Sequence, residues 1–147
     1  MIRKRKKFLK TKNDRPTDKE LDRLWSDACI ARDGGKCIYT YEIGRYGRTH
    51  VIDRGGICVH HILKKSTNRL RWDLDNGITV SNTKVHFPIA HSQKPIQETQ
   101  FREWALGRLS RKSQDRLKMY QYAVGGLDRF ALKIYLLQKI CEYERQR

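Results

Sequence analysis

Hydrophobic positions recur along this chain at two different intervals, and the changes of interval divide it into elements. After Thr17, the residues Leu21, Leu24, Trp25, Ala28 and Cys29 fall at helical spacing, which predicts a first helix buried along one stripe. Thr17-x-x-Glu20 forms a capping box at its start, with Pro16 just ahead. Arg32-Asp33-Gly34-Gly35 should end it, because glycine accepts the left-handed conformation that closes helices. The pattern then changes. Lys36 to Thr40 has strand character, YEIGRYGRTHVIDRGG alternates β-formers with glycines, and Ile57, Val59 and Ile62 with Cys58 read as a strand. The simplest arrangement is a hairpin leading into that strand. Asp75-Asn76-Gly77 then marks a turn, Ile78-Thr79-Val80 a second β-branched run, and Ser81-Asn82 the cap of a helix that carries His86.

Helical spacing returns in the last third. Pro95 suits the first turn of a helix with Ile96, Phe101, Trp104, Ala105 and Leu109, and Ser113 suits the cap of a short one with Leu117, Met119 and Tyr120. Gly125-Gly126 should end the latter. Asp128 opens a long helix with Phe130, Ile134, Leu137 and Cys141 on one stripe and Leu136, Ile140 and Tyr143 beside it. The expected fold is α+β, organised as a basic flexible arm (1–16), a core with its leading helix (17–94) and a helical extension packed on that core (95–147). A homodimer through the wide apolar face of the last helix is the alternative role for the extension.

Charge narrows the function. The chain has 147 residues, enough for one domain, and its 32 Lys and Arg against 16 Asp and Glu give a net charge of +16. Such an excess points to a polyanionic partner, nucleic acid first. An anionic membrane surface is disfavoured, because the cations are scattered over loops and helices instead of lying along one amphipathic helix. No apolar run approaches the roughly 20 residues of a membrane span, and no signal-peptide core follows the basic start, so a cytoplasmic location is expected. Cys29, Cys58 and Cys141 are read as small buried side chains, and none of the four cysteines forms a C-x-x-C pair.

Four of the five histidines lie between Gly56 and His91. Successive strand residues point to opposite faces, so His60 and His61 cannot share one task. One neutral imidazole can take a proton from water near neutral pH while another holds a divalent metal against phosphate oxygens. Pro88 removes a helical hydrogen bond, and His91 stands five positions beyond His86, so the two should not share one straight helical face. His91 becomes a further candidate ligand if the helix restarts at Pro88. His50 has no partner at ligand spacing. Lys64, Lys65, Arg69 and Arg71 crowd the loop between the strands, where a guanidinium can brace the phosphate being cut. Arg45 and Arg48, with Tyr41 and Tyr46, offer contacts to DNA. Trp72 should pack the loop on the core, and Asp73 should hold Arg71 or cap the turn.

RDGGKC (Arg32 to Cys37), VHHI (Val59 to Ile62), LRWDLDNG (Leu70 to Gly77) and VHFPIAH (Val85 to His91) together resemble the HNH, or ββα-metal, endonuclease superfamily, and more narrowly the NinG-type recombination endonucleases of tailed phages. The resemblance spans Leu21 to about Glu144. It implies a ββα-metal core, His61 as general base, His60 and His86 as metal ligands, and Asn76 as the brace that positions the base. It also implies cleavage to 5′-phosphate and 3′-hydroxyl ends with Mg²⁺ or Mn²⁺. Two imidazoles are softer than magnesium prefers, which admits Ni²⁺ or Zn²⁺ in the same site.

The chain departs from its relatives in three places. His86 lies about one residue later after Asn76 than usual, and Pro88 interrupts the helix. The cysteine pairs of the relatives' structural zinc are missing: the first reads Cys37-x-x-Thr40, and Ser81 with Lys84 or Val85 stands at the second. No structural zinc is therefore expected, with Ile38, Tyr39, Val80 and Val85 packing in its place. The leading expectation is a metal-dependent DNA endonuclease acting on recombination intermediates, branched DNA among them, in a bacterial host cell if phage-encoded. A homing or junction-resolving HNH nuclease is one alternative, and a basic nucleic-acid-binding module with a non-catalytic HNH fold is the other.

Overall fold

α1 (Asp18–Arg32) begins where the capping box predicts: Thr17 Oγ1 accepts from the Glu20 N–H at 3.2 Å. Gly34 and Gly35 lead the chain away at φ of 71° and 68°, a region glycine reaches without steric cost. The computed structural model describes residues 15–43 and 56–147. The arm up to residue 14, Arg45, Arg48, His50 and most of the expected hairpin lie outside the described residues.

The segment read as a strand from Lys36 is instead α2 (Ile38–Ile43). Ile38 and Tyr39 are adjacent yet enter one and the same apolar cluster, which neighbours on a helix can do and neighbours on the opposite faces of a strand do not. β1 (Ile57–His61) and β2 (Gly77–Ser81) form a two-stranded antiparallel sheet, in register from Ile57 opposite Ser81 to His61 opposite Gly77. Between them the chain makes a short helix, α3 (Asn68–Arg71), and a 3₁₀ turn, Leu74–Asn76. Asp73 caps that turn, accepting from the Asp75 N–H at 2.9 Å. Ser81 ends β2 and caps the next element through its hydroxyl, which accepts from the Lys84 N–H at 3.1 Å. That element, Asn82–Ala90, is wound as a π helix.

α4 (Pro95–Gly107), α5 (Arg111–Tyr120) and α6 (Arg129–Arg145) follow. The cap of α5 is Ser110, whose hydroxyl accepts from the Ser113 N–H at 3.2 Å, so Ser113 is the donor and not the cap. Asp128 caps α6 as predicted, accepting from the Phe130 and Ala131 N–H groups. On α6 the packed stripe is Leu132, Leu136, Ile140 and Tyr143, against α1. Ile134 and Leu137 lie outside that contact and are substantially exposed. Cys141 is exposed too and Cys58 half-buried, so of the three cysteines read as core only Cys29 is. Burial raises the Cys29 thiol to about 12.

The sheet lies between two apolar clusters, and strand alternation assigns its side chains to them. Gly77 and Val59 face the cluster of α1, α6, Trp72 and Leu74. Ile78, Val80 and Cys58 face the cluster of α2, the π helix and α4. Ile38, Tyr39, Val80 and Val85 pack in this second cluster. Every residue of β2 is buried, which explains its unbroken run of small and β-branched side chains. The protein is thus α+β and mostly helical. Among the described residues no helix is long and apolar enough to cross a membrane.

Candidate functional site

The end of β1 delivers two imidazoles to opposite faces of the sheet. His60 is 8% exposed on the α4 side, edge-on to Phe101 at 5.4 Å. His86 and His91 of the π helix and its end bring their rings to 5.4 and 4.8 Å from it, and to 4.7 Å from each other. One nitrogen from each of the three lies within 4.8 Å of the others.

The π winding unites His86 with His91. Five residues of an α helix would place the second about 140° around the axis from the first. A π turn absorbs one more residue, and the His91 N–H donates to the His86 carbonyl five residues back, at 2.9 Å. Pro88 fits this winding, since it has no N–H to donate and its ring collides with the carbonyl four back in an α helix. The expectation that Pro88 keeps the two histidines off a common face is therefore corrected: the helix widens around it, and the face is shared.

Burial first, then His91 and His86, pushes the His60 imidazole down to about 3. Burial and then His91 also lower His86. His60 is thus neutral at pH 7, with a lone pair to give. The Nδ1 atom of His86 is buried and has no hydrogen-bond partner, a costly state that a cation would relieve. Nitrogens about 2.1 Å from one ion lie at most roughly 4.2 Å apart, so small ring rotations close the set. Among the described residues the cluster contains no carboxylate. Imidazole nitrogen is a donor for borderline cations such as Zn²⁺ and Ni²⁺, whereas Mg²⁺ and Mn²⁺ are better served by oxygen.

His61 turns to the α1 side. Its ring stacks on Trp25, 4.1 Å between centroids and 12° from parallel. Its Nε2 lies 2.9 Å from the Arg71 carbonyl. A carbonyl only accepts, so Nε2 carries the hydrogen and Nδ1 the lone pair. Burial lowers its pKa, against the upward pull of that carbonyl.

Asn76 is fully buried and ties the end of β1 to the loop. Its Oδ1 accepts from the Leu63 N–H at 2.8 Å, and its Nδ2 donates to the Leu63 and Leu70 carbonyls, both at 3.0 Å. The backbone carbonyl of Asn76 takes the Ile62 N–H as well. Three of the four bonds brace the stretch immediately after His61, and the fourth fastens it to Leu70 of α3.

Arg71, expected to reach for phosphate, is held by α1. Its Nε and Nη2 donate to the two oxygens of Asp22 at 2.9 and 2.7 Å, and Nη1 donates to Asp18 at 2.7 Å. Two carboxylates thus compete with any phosphate for that guanidinium, and its carbonyl is what reaches His61. Asp73 pairs with Arg116 and caps its turn instead of holding Arg71. Trp72 is buried against the core, as expected. Arg108, Arg116 and, on the surface, Arg111 are paired with acids, whereas Lys64, Lys65 and Lys112 are exposed and Arg69 is half-buried over Tyr120.

Three residues near the site escaped the sequence reading. Asp22 and Trp25 sit one turn apart on α1; the acid reads as an ordinary solvated helix residue and the tryptophan as core, and nothing local reveals their partners. Phe87 is 61% exposed and edge-on to His86 at 5.0 Å. Comparison with protein-family models, with curated proteins and with solved structures finds no match to this chain.

Proposed function

We propose that the chain is a metal-dependent DNA endonuclease of the ββα-metal kind, with β1, β2 and the π helix as the ββα unit. The observation that carries the reading is the convergence of His60, His86 and His91 within 4.8 Å, with a fourth imidazole of set tautomer at the next position of β1. The three-histidine set would hold one divalent ion, which when bound supplies Lewis acidity at a phosphate oxygen. Nδ1 of His61 takes a proton from water, and the water oxygen bonds to phosphorus. The bond from phosphorus to the 3′ oxygen breaks, that oxygen takes a proton from solvent, and the products are 5′-phosphate and 3′-hydroxyl ends. Asn76 keeps the strand tip rigid through this step. Lys64 and Lys65 attract the backbone, and the exposed ring of Phe87 offers a stacking face to a base near the cut. The resemblance to phage recombination nucleases makes branched DNA the first substrate to try.

The test incubates the protein with supercoiled plasmid and with branched duplexes in Mn²⁺, Zn²⁺ or Mg²⁺, alongside His61→Ala. Metal-dependent nicking that falls roughly 100-fold or more in His61→Ala supports the reading. Salt-sensitive DNA binding with no product in any metal would replace it with a non-catalytic DNA-binding module.

A further inference from the structure

We infer that Asp22 is the residue that positions His61, acting through the peptide between Arg71 and Trp72. Its effect on rate rests on the nuclease reading; its effect on the imidazole does not. Asp22 Oδ1 accepts from Arg71 Nε and from Trp72 Nε1, both at 2.9 Å, while Oδ2 accepts from Arg71 Nη2 at 2.7 Å. One carboxylate therefore grips the side chains on both sides of a single peptide unit. That unit is planar, so anchoring both flanks restricts its rotation as a block. Its carbonyl is the one facing His61 Nε2 at 2.9 Å.

The same helix supplies the other constraint. Trp25 follows Asp22 by three positions, which puts the two on neighbouring parts of one helical face. Trp25 fixes the plane of the His61 ring by stacking, and Asp22 fixes its edge through the carbonyl. Trp25 is itself pinned, its Nε1 donating to the Asp73 carbonyl at 2.9 Å. Both degrees of freedom of the imidazole are thereby set from α1, across the chain.

Asp18 provides the control. It bonds the same guanidinium through Nη1, yet it is not bonded to Trp72, so it shares the charge pairing without the grip on the peptide. The experiment uses the full chain as wild type, Asp22→Ala and Asp18→Asn. Ring ¹⁵N NMR reads the His61 tautomer, Zn²⁺ titration reads the three-histidine set, and steady-state cleavage reads kcat and KM.

Asp22→Ala should bind Zn²⁺ within about 3-fold of wild type but show a mixed His61 tautomer, with kcat down roughly 10- to 100-fold and KM little changed. Asp18→Asn should keep the wild-type tautomer and a kcat within about 3-fold. Wild-type ¹⁵N shifts in Asp22→Ala would overturn the assignment, as would equal effects of the two substitutions. If Asp22→Ala does not fold, Asp22→Asn, which leaves one accepting oxygen, takes its place with the same readouts. Should wild type cut no DNA, the nuclease reading fails, and the tautomer comparison still decides the role of Asp22.

Discussion

Gly77→Ala is expected to destabilise the protein by pushing α1 off the sheet. The backbone at Gly77 is ordinary extended chain, φ −110° and ψ 141°, which alanine adopts freely. The obstacle is space. A Cβ at this position would stand 2.6 Å from Cys29 Sγ, 2.7 Å from Trp25 Cζ2 and 3.1 Å from Val59 Cγ1. None of these can yield cheaply. Cys29 and Trp25 are buried on α1, and Trp25 is held at one end by its bond to Asp73 and on its face by His61. Overpacking of a rigid core costs about 1–3 kcal/mol, with crowding this close at the upper end. The loss of chain entropy in the unfolded state offsets roughly 0.4–1 kcal/mol of that. The net expectation is about 2 kcal/mol. Urea unfolding followed by tryptophan fluorescence should show a lower midpoint at unchanged slope. Gly107→Ala is the internal control: nothing lies within 4 Å of its added Cβ, and it should be neutral or slightly stabilising. If Gly77→Ala unfolds at the same urea concentration as wild type, the close approach of α1 to β2 is refuted.

Asn76→Ala leaves the Leu63 N–H and two carbonyls without their partner, and a loss of about 2–4 kcal/mol should appear in the same unfolding assay; a loss below about 1 kcal/mol would mean the loop does not depend on it. Acidification should weaken the metal-free protein. Folded His60 titrates near 3 but an unfolded histidine near 6.5, so the unfolded chain takes up a proton first; this stabilisation is full above about 6.5 and fades toward 3. His61 and His86 shift in the same direction. A drop on the order of 2–3 kcal/mol from His60 alone is expected by about pH 4.5, and stability that stays flat or rises over that range contradicts its burial. Zn²⁺ at 100 times its Kd should add about 2.7 kcal/mol of stability. That gain should vanish in His60→Ala and under a chelator. An equal gain from Mg²⁺ would speak against three imidazole ligands.

Elements whose cause is local were legible in the residues, and those decided across the chain were not. Thr17, Ser81 and Asp128 cap helices with their own side chains, and each cap is where the sequence puts it. The same logic misplaced the start of α5 only by choosing between two serines three residues apart, Ser110 and Ser113. β1 and β2 were visible as β-branched runs. α2 was not, because Ile38 and Tyr39 suit a strand by composition, and only the cluster they enter makes burying both neighbours favourable. On α6 two apolar stripes compete, and the shape of α1 chooses the one through Leu136.

The site divides in the same way. Strand geometry alone puts His60 and His61 on opposite faces, since that needs no partner. His91 is legible as a candidate ligand, but its sharing a face with His86 is not, because the sequence does not reveal a change of helical pitch. Val85, Ile89 and Ala90 are all buried on the π helix, against the sheet and α4. In an α helix Val85 and Ile89 would share a face, but His91 would point about 140° away from His86. The extra residue per turn keeps those three inward and still lets His86 and His91 converge on His60. Winding is thus selected by tertiary packing, which a count of positions cannot register. The orientation of His61 is more remote still: it depends on a carbonyl ten residues later, and on a carboxylate and an indole some forty residues earlier, all fixed only once α1 docks. Chemistry-bearing residue types can therefore be found in a sequence, whereas the geometry that arms them belongs to the docked helix. On the proposed nuclease reading, destabilising that docking at Gly77 should lower cleavage before it unfolds the sheet.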